Sequence, residues 1–302
     1  MTSAAPPQPR PDGERPADRT PAAATLLRTR SGPLALDPPA VVGVLNATPD
    51  SFSDGGRHLD PGRAAAAACE MVAAGATALD LGAESTRPGA APVPADEELR
   101  RLIPVLDAVR AAVRVPLSVD TTKAAVARAA LDRGADVVND VSAGRFDPEL
   151  LALCAREGVP VVLMHMQGTP ATMQRAPRYD DVVDEVRAFL AARAADAEAA
   201  GVRHDAIVLD PGIGFGKTVE HNCRLLARLD ALAAVGYPVL VGVSRKGFIG
   251  QLVGGRRPEE RLHGTVAALA LAVAGGASLL RVHDVAAARD AVAVSRAIVR
   301  TA

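Results

Sequence analysis

The stretch AAVARAALDRGADVVND, residues 124–140, contains one complete folding unit. Apolar residues recur at helical spacing through AAVARAALDRG, and Gly134 supplies the usual helix stop. ADVVND then runs as a short apolar strand ending on Asn139 and Asp140. The same order recurs along the chain. The apolar runs are VVGVLN (41–46), ATALDLG (76–82), VPLSVD (115–120), ADVVND (135–140), VPVVLMH (159–165), AIVLD (206–210), YPVLVGVS (237–244) and SLLRVH (278–283). None alternates cleanly, as expected for strands buried on both faces of a parallel sheet. Ala-rich helical stretches such as VEHNCRLLARLDALAAVG separate them. Eight such units predict an α/β protein, a single-domain (β/α)8 TIM barrel. A doubly wound open sheet is the alternative, although it does not usually need eight units.

Composition narrows the function classes. Hydrophobic residues make up 49% of the 302, with no tryptophan and five phenylalanines, so Ala, Val, Leu and Ile must build the core. The 34 basic and 35 acidic residues nearly cancel, which suggests neither a nucleic-acid nor a membrane partner. Cys69, Cys154 and Cys223 stand far apart and read as small core fillers in a reducing cytoplasm. No apolar run reaches the roughly 18 residues of a membrane span. Residues 1–30, rich in Pro, Ala and charge and without an apolar signal core, are expected to be a disordered tail before a domain at 31–302.

A barrel places its active site at the C-terminal ends of its strands. Polar residues end all eight runs: Asn46, Glu84 to Arg87, Asp120, Asn139 with Asp140, His165, Asp210, Ser244 to Lys246, and Arg281 to Asp284. One such residue reads equally well as a helix cap. Eight of them imply a shared pocket. Asp120, Asn139 and Asp210 suit the adjacent N–H groups of an amino-heterocycle. Lys246, Arg281 and His283 are cationic or able to be so, after strands 7 and 8 where this fold often binds phosphate.

Two tempting motifs carry less. DPGIGFGKT (210–218) puts Pro211 where a phosphate-binding loop needs Gly, and its glycine spacing is one residue short of the dinucleotide fingerprint. Its glycines read instead as letting the chain turn sharply so that Phe215 covers a flat ligand. His165, in LMHMQG, reads either as a ligand or base, or as a structural histidine hydrogen-bonded near the barrel mouth.

Taken together, LNATPDSFSDGG, DLGAESTRPGA, SVDTTK, VVNDVSAG, VVLMHMQGTPATMQ, LDPGIGFGK, GVSRKGFIG and RVHDV resemble the dihydropteroate synthase family of folate biosynthesis. The resemblance covers residues 40 to 295, each motif at a strand end and in family order. It implies a transferase that joins 6-hydroxymethyl-7,8-dihydropterin diphosphate to p-aminobenzoate, requires Mg2+, acts as a cytoplasmic homodimer and is blocked by sulfonamides. It further implies that Asp120, Asn139 and Asp210 grip the pterin, with Met164 and Gly242 lining its slot. Lys246 contacts the pterin and frames the aminobenzoate pocket. Asn46, Arg281 and His283 hold the diphosphate, and Asn46 also ligates the metal. Thr86, Arg87 and Pro88 lie in a loop near the aminobenzoate, with Phe215 against its ring. Asp120, Lys246 and Arg87 carry the catalysis, and TPDSFSDGG (48–56) is a lid hinged at Gly55 and Gly56.

One position departs from the family pattern. Many relatives carry Ser after SRK, whereas this chain has Gly247, which leaves only a backbone N–H for the aminobenzoate carboxylate. A corrinoid-type methyltransferase shares the pterin-gripping acids, but SRK and RVHD speak against it because it has no diphosphate to hold. A silent, pterin-binding paralogue is opposed by the intact Asn46, Arg87, Lys246, Arg281 and His283. The helices GTVAALALAVAGGA and DVAAARDAVAVSRAIV offer apolar faces that suit either a dimer interface or the core.

Overall fold

The computed structural model describes residues 26–47 and 60–301. Two short strands come first. β1 (Leu26–Thr29) and β2 (Gly32–Ala35) pair antiparallel, with Leu27 opposite Leu34. Leu27, Leu34 and Leu36 bury themselves against Ala40, Val42, Val137, Val208 and Leu279, so the hairpin closes the N-terminal end of the barrel. Buried Asp136 ties it down, accepting from Ser31 N at 2.6 Å, Ser31 Oγ at 2.9 Å and Leu117 N at 2.9 Å. The expected tail, drawn to residue 30, therefore overruns into a strand that starts at Leu26, because three leucines here find apolar cover. Residues 1–25 lie outside the described residues, as does the expected lid at 48–56.

Eight parallel strands follow, one from each predicted run. They are β3 (Ala40–Asn46), β4 (Ala78–Gly82), β5 (Leu117–Asp120), β6 (Val137–Asp140), β7 (Val161–Met164), β8 (Ile207–Asp210), β9 (Leu240–Val241) and β10 (Leu279–Val282). Their order is β8-β7-β6-β5-β4-β3-β10-β9, and a parallel bridge between Leu209 and Val239 closes the ring. Closure excludes the open sheet. Parallel neighbours need crossovers, which here are helical: α1 (Pro61–Ala73), α2 (Ala95–Ala112), α3 (Ala124–Asp132), α4 (Glu149–Glu157), α5 (Val182–Ala199), α6 (Val219–Ala227), α7 (Leu229–Ala233), α8 (Gly247–Leu252) and α9 (Leu262–Ala274), with α10 (Val285–Val299) following the last strand.

Helix α3 shows how the sequence shapes one unit. Val126, Ala127, Ala130 and Leu131 form its buried face, and Gly134 at φ +90° turns the chain back toward β6. Inside the barrel, side chains alternate in layers along each strand. Val42, Ala78, Val137 and Leu279 make an apolar lower layer, while Asp120, Asn139, Asp210 and Arg281 occupy the mouth. The cysteines need one correction. Cys154 is buried, but Cys69 and Cys223 are exposed, since they fall on the outward faces of α1 and α6.

Candidate active site

Strand register brings the expected residues to one level. Asn46 pairs with Gly82, Gly82 with Asp120 and Asp120 with Asn139, while Met164 faces Asp210 on the next pair of strands. A Cβ on Gly82 would stand 3.2 Å from that of Asp120, so its absence leaves the carboxylate room. The strand ends open on a cavity of about 490 Å³. Thr86, Asp120, Asn139, Met164, Asp210, Phe215, Gly242, Lys246, Arg281 and His283 all line it, joined by Val44, Val141, Ile213 and Ser244.

Three expected residues stand outside that wall. Asn46 is half-buried at the end of β3, and Arg87 and Pro88 are exposed on the loop between β4 and α2. Arg87 is nonetheless close enough for its charge to weigh against protonation of His283.

The acidic and cationic halves are coupled through Arg281. Its Nη2 donates to Asp120 Oδ2 at 3.0 Å and its Nε to Asp80 Oδ2 at 2.6 Å. One guanidinium thus serves two buried carboxylates. Burial pushes Asp120 up to about 7 against the pull of Arg281, with Asp80 adding repulsion. Burial also raises Asp210, whose Oδ1 accepts from Gly212 N at 2.7 Å. Lys246 is lowered to about 8 by burial, and its Nζ sits 4.2 Å from the centre of the Phe215 ring, a cation–π contact.

Local geometry aims these groups. Arg245 holds φ +58°, a left-handed conformation that a non-glycine residue rarely adopts. Two bonds to Asp284, at 2.9 and 2.5 Å, and one from its N–H to Thr265 Oγ1 at 3.1 Å keep it there, which sets Lys246 at the cavity. Ser244 Oγ lies 3.1 Å from His283 Nδ1 and fixes that ring. Burial, then Arg281 and Arg245, lowers His283 to about 4, which favours the neutral ring; a nearby anion would raise it again. In the glycine-rich loop, a Cβ on Gly212 would meet His165 O at 1.9 Å, so only glycine passes. That close approach brings Phe215 to the wall.

His165 resolves as the structural residue. It is buried outside the cavity wall, edge-on to Phe189, and burial with Lys217 beside it holds it far below the usual imidazole range. Its Nδ1 lies 2.9 Å from Lys217 Nζ, which also donates to Phe215 O at 3.0 Å. Lys217 is itself lowered to about 7 by burial. The lysine dismissed with the phosphate-loop motif therefore braces the turn that carries Phe215.

A pterin-binding enzyme family model matches residues 42–283. A dihydropteroate synthase of Synechocystis is 48% identical over 260 residues, covering 86% of this chain and 90% of its own length. The Xanthomonas albilineans dihydropteroate synthase with 4-aminobenzoic acid superposes with TM-score 0.86 at 50% identity, covering 91% of this chain and 98% of that one. The same organism's enzyme in complex with 7,8-dihydropteroate gives TM-score 0.80 at 49% identity, covering 88% and 95%.

The chain belongs to the dihydropteroate synthase family. A dihydropteroate synthase is a transferase of folate biosynthesis, and the (β/α)8 barrel expected from the sequence is the family's fold. Among the described residues, every polar side chain lining the mouth is one that ends a strand run in the sequence, Ser244 among them. The strand-end rule missed Asp80, which lies mid-strand in ALDLG. The signal was available: Asp80 and Gly82 share one face of β4, so an acid two residues below the mouth also points inward.

Proposed function

We propose that the family reaction runs in this cavity with a division of labour set by its two halves. The chain joins 6-hydroxymethyl-7,8-dihydropterin diphosphate to p-aminobenzoate and releases pyrophosphate. The observation that carries this assignment is the convergence of Asp120, Asn139 and Asp210 with Lys246, Arg281 and His283 in one pocket. The three acceptor-bearing residues take the pterin's N–H edge, with Met164 and Gly242 beside its ring. Arg281 and His283, with Asn46 at the end of β3, take the diphosphate. The methylene C–O bond breaks and its electron pair leaves with the diphosphate. Asp120 stabilises the resulting delocalised pterin cation. The amine nitrogen of p-aminobenzoate, held near Thr86, Arg87, Pro88, Phe215 and Lys246, then bonds to the methylene carbon and loses a proton. A neutral aromatic amine needs no strong base, in keeping with a buried His165 that stands outside the pocket.

The residues fit Mg2+. Among the described residues no three His, Cys, Asp or Glu side chains form a metal cage. Asn46 offers a neutral, hard oxygen donor, and Mg2+ is commonly held by few protein groups together with substrate phosphates. When bound, the ion neutralises charge developing on the leaving diphosphate.

The enzyme works in the cytoplasm as a homodimer. Free cysteines suit a reducing compartment, and no described helix is long and apolar enough to cross a membrane. Leu271 on α9 and Val294 and Ile298 on α10 are exposed on two helices that pack together, an apolar face suited to a second copy. The reaction is tested by incubating the folded protein with both substrates, with and without Mg2+. Dihydropteroate and pyrophosphate should form in equal amounts and only with the metal; absence of both products discards the assignment.

A further inference from the structure

Asp80 is 1% exposed in the middle of β4, inside the barrel and one layer below the substrate cavity. An acid there is costly unless its partners are well placed. Its Oδ2 accepts from Arg281 Nε at 2.6 Å and from Asn139 Nδ2 at 3.2 Å. Its Oδ1 has no partner among the described residues, and the residue also borders a lower space of about 380 Å³ lined in part by Ser118. With the bond from Arg281 Nη2 to Asp120, a continuous chain runs Asn139–Asp80–Arg281–Asp120 across β6, β4, β10 and β5.

We propose that Asp80 is a positioning residue of the pterin diphosphate site, acting through Arg281 and Asn139 without touching substrate. The inference rests on assigning the cavity to that substrate. Asn139 belongs to the heterocycle half and Arg281 to the phosphate half, and among the described residues Asp80 Oδ2 is the one atom bonded to both. It also competes with Asp120 for one guanidinium. Without Asp80, Arg281 is free to fold fully onto Asp120, which occupies the carboxylate that faces the pterin and withdraws the cation from the diphosphate. Fold stability alone does not call for this arrangement, because buried ion pairs are often replaced by apolar residues of similar volume without loss. The p-aminobenzoate side, built on Phe215, Lys246 and the β4–α2 loop, has no bond to Asp80 among the described residues.

Asp80→Leu and Asp80→Asn separate the possibilities. Titration calorimetry with pterin diphosphate and Mg2+ gives Kd, and steady-state kinetics gives KM for each substrate. Asp80→Leu should still melt in one cooperative transition, at a lower temperature because one partner of a buried pair is gone, while Kd for pterin diphosphate rises about tenfold or more and KM for p-aminobenzoate stays within twofold, since misplacing groups by about 1 Å can cost up to 100-fold. Asp80→Asn should fall between, because an amide oxygen can still accept from both donors. A folded Asp80→Leu with Kd within twofold of the parent overturns the proposal, as does an equal rise in both KM values. If Asp80→Leu does not fold, Asp80→Asn decides: at least a threefold rise in Kd supports the role, and a smaller change overturns it. The parent protein is titrated alongside. No binding there removes the assignment of the cavity and this inference with it, whereas binding there beside an unaffected variant removes the role of Asp80 alone.

Discussion

Asp120 is a carboxylate whose surroundings hold it between two protonation states. Burial raises it to about 7, Arg281 pulls it down, and Asp80 pushes it up again. In the proposed reaction its working form is the anion, which exists above that value. The rate constant kcat/KM for pterin diphosphate, which reports groups of the free enzyme, should therefore fall as pH drops through about 7. A profile flat to pH 5 counts against a catalytic anion. Asp120→Ala should abolish turnover and leave the melting transition in place, and near-normal rates from that variant remove Asp120 from the mechanism. Gly247 offers a gain instead of a loss. It is the first residue of α8, and a Cβ there meets nothing within 4 Å. Gly247→Ser should fold normally and lower KM for p-aminobenzoate by a few-fold, about 1 kcal/mol for one added hydrogen bond; an unchanged or higher KM excludes a hydroxyl contact there.

The loop between β4 and α2 carries Thr86, Arg87 and Pro88, and its two ends are tied together. Glu84 Oε1 accepts from Val93 N at 2.7 Å, and Lys123 Nζ donates to Glu84 at 2.7 Å and to Glu98 at 2.6 Å. Glu98 is fully buried in the first turn of α2, and its Oε1 has no hydrogen-bond partner among the described residues. Lys123→Met leaves two carboxylates facing each other without their cation. It should cost about 3–5 kcal/mol, read from the urea midpoint at pH 8, because breaking a buried pair leaves an uncompensated charge. Adding Glu98→Gln should recover part of that loss. A midpoint unchanged by Lys123→Met shows the clamp to be idle. All eight barrel strands were legible at this scale because each is a local apolar run, most of them separated by a helix that stops at a glycine. The β1–β2 hairpin was not, since two four-residue strands behind a Pro-rich segment carry too little pattern until the barrel floor covers Leu27 and Leu34.

For the whole molecule, the open question is the face of α9 and α10. The sequence left those helices divided between core and interface. The structure divides each helix in two: Ala268 and Leu269 of α9 and Ala288 and Ala291 of α10 are buried, while Leu271, Val294 and Ile298 are each more than 60% exposed. Ile298→Glu should convert a dimer into a monomer by light scattering at micromolar concentration, with the far-ultraviolet spectrum unchanged. A parent protein that is already monomeric disproves the homodimer. The sequence by itself determined the rhythm of strand, loop and helix, and with it which side chains reach the barrel mouth, because both follow from short-range periodicity. It could not say which of them share a proton or a cation. Arg281 meets Asp80 across 201 residues of chain and Asp120 across 161, and Lys217 meets His165 across 52. Only closure of the barrel brings such groups to hydrogen-bond distance in a dry interior, where their charges shift one another.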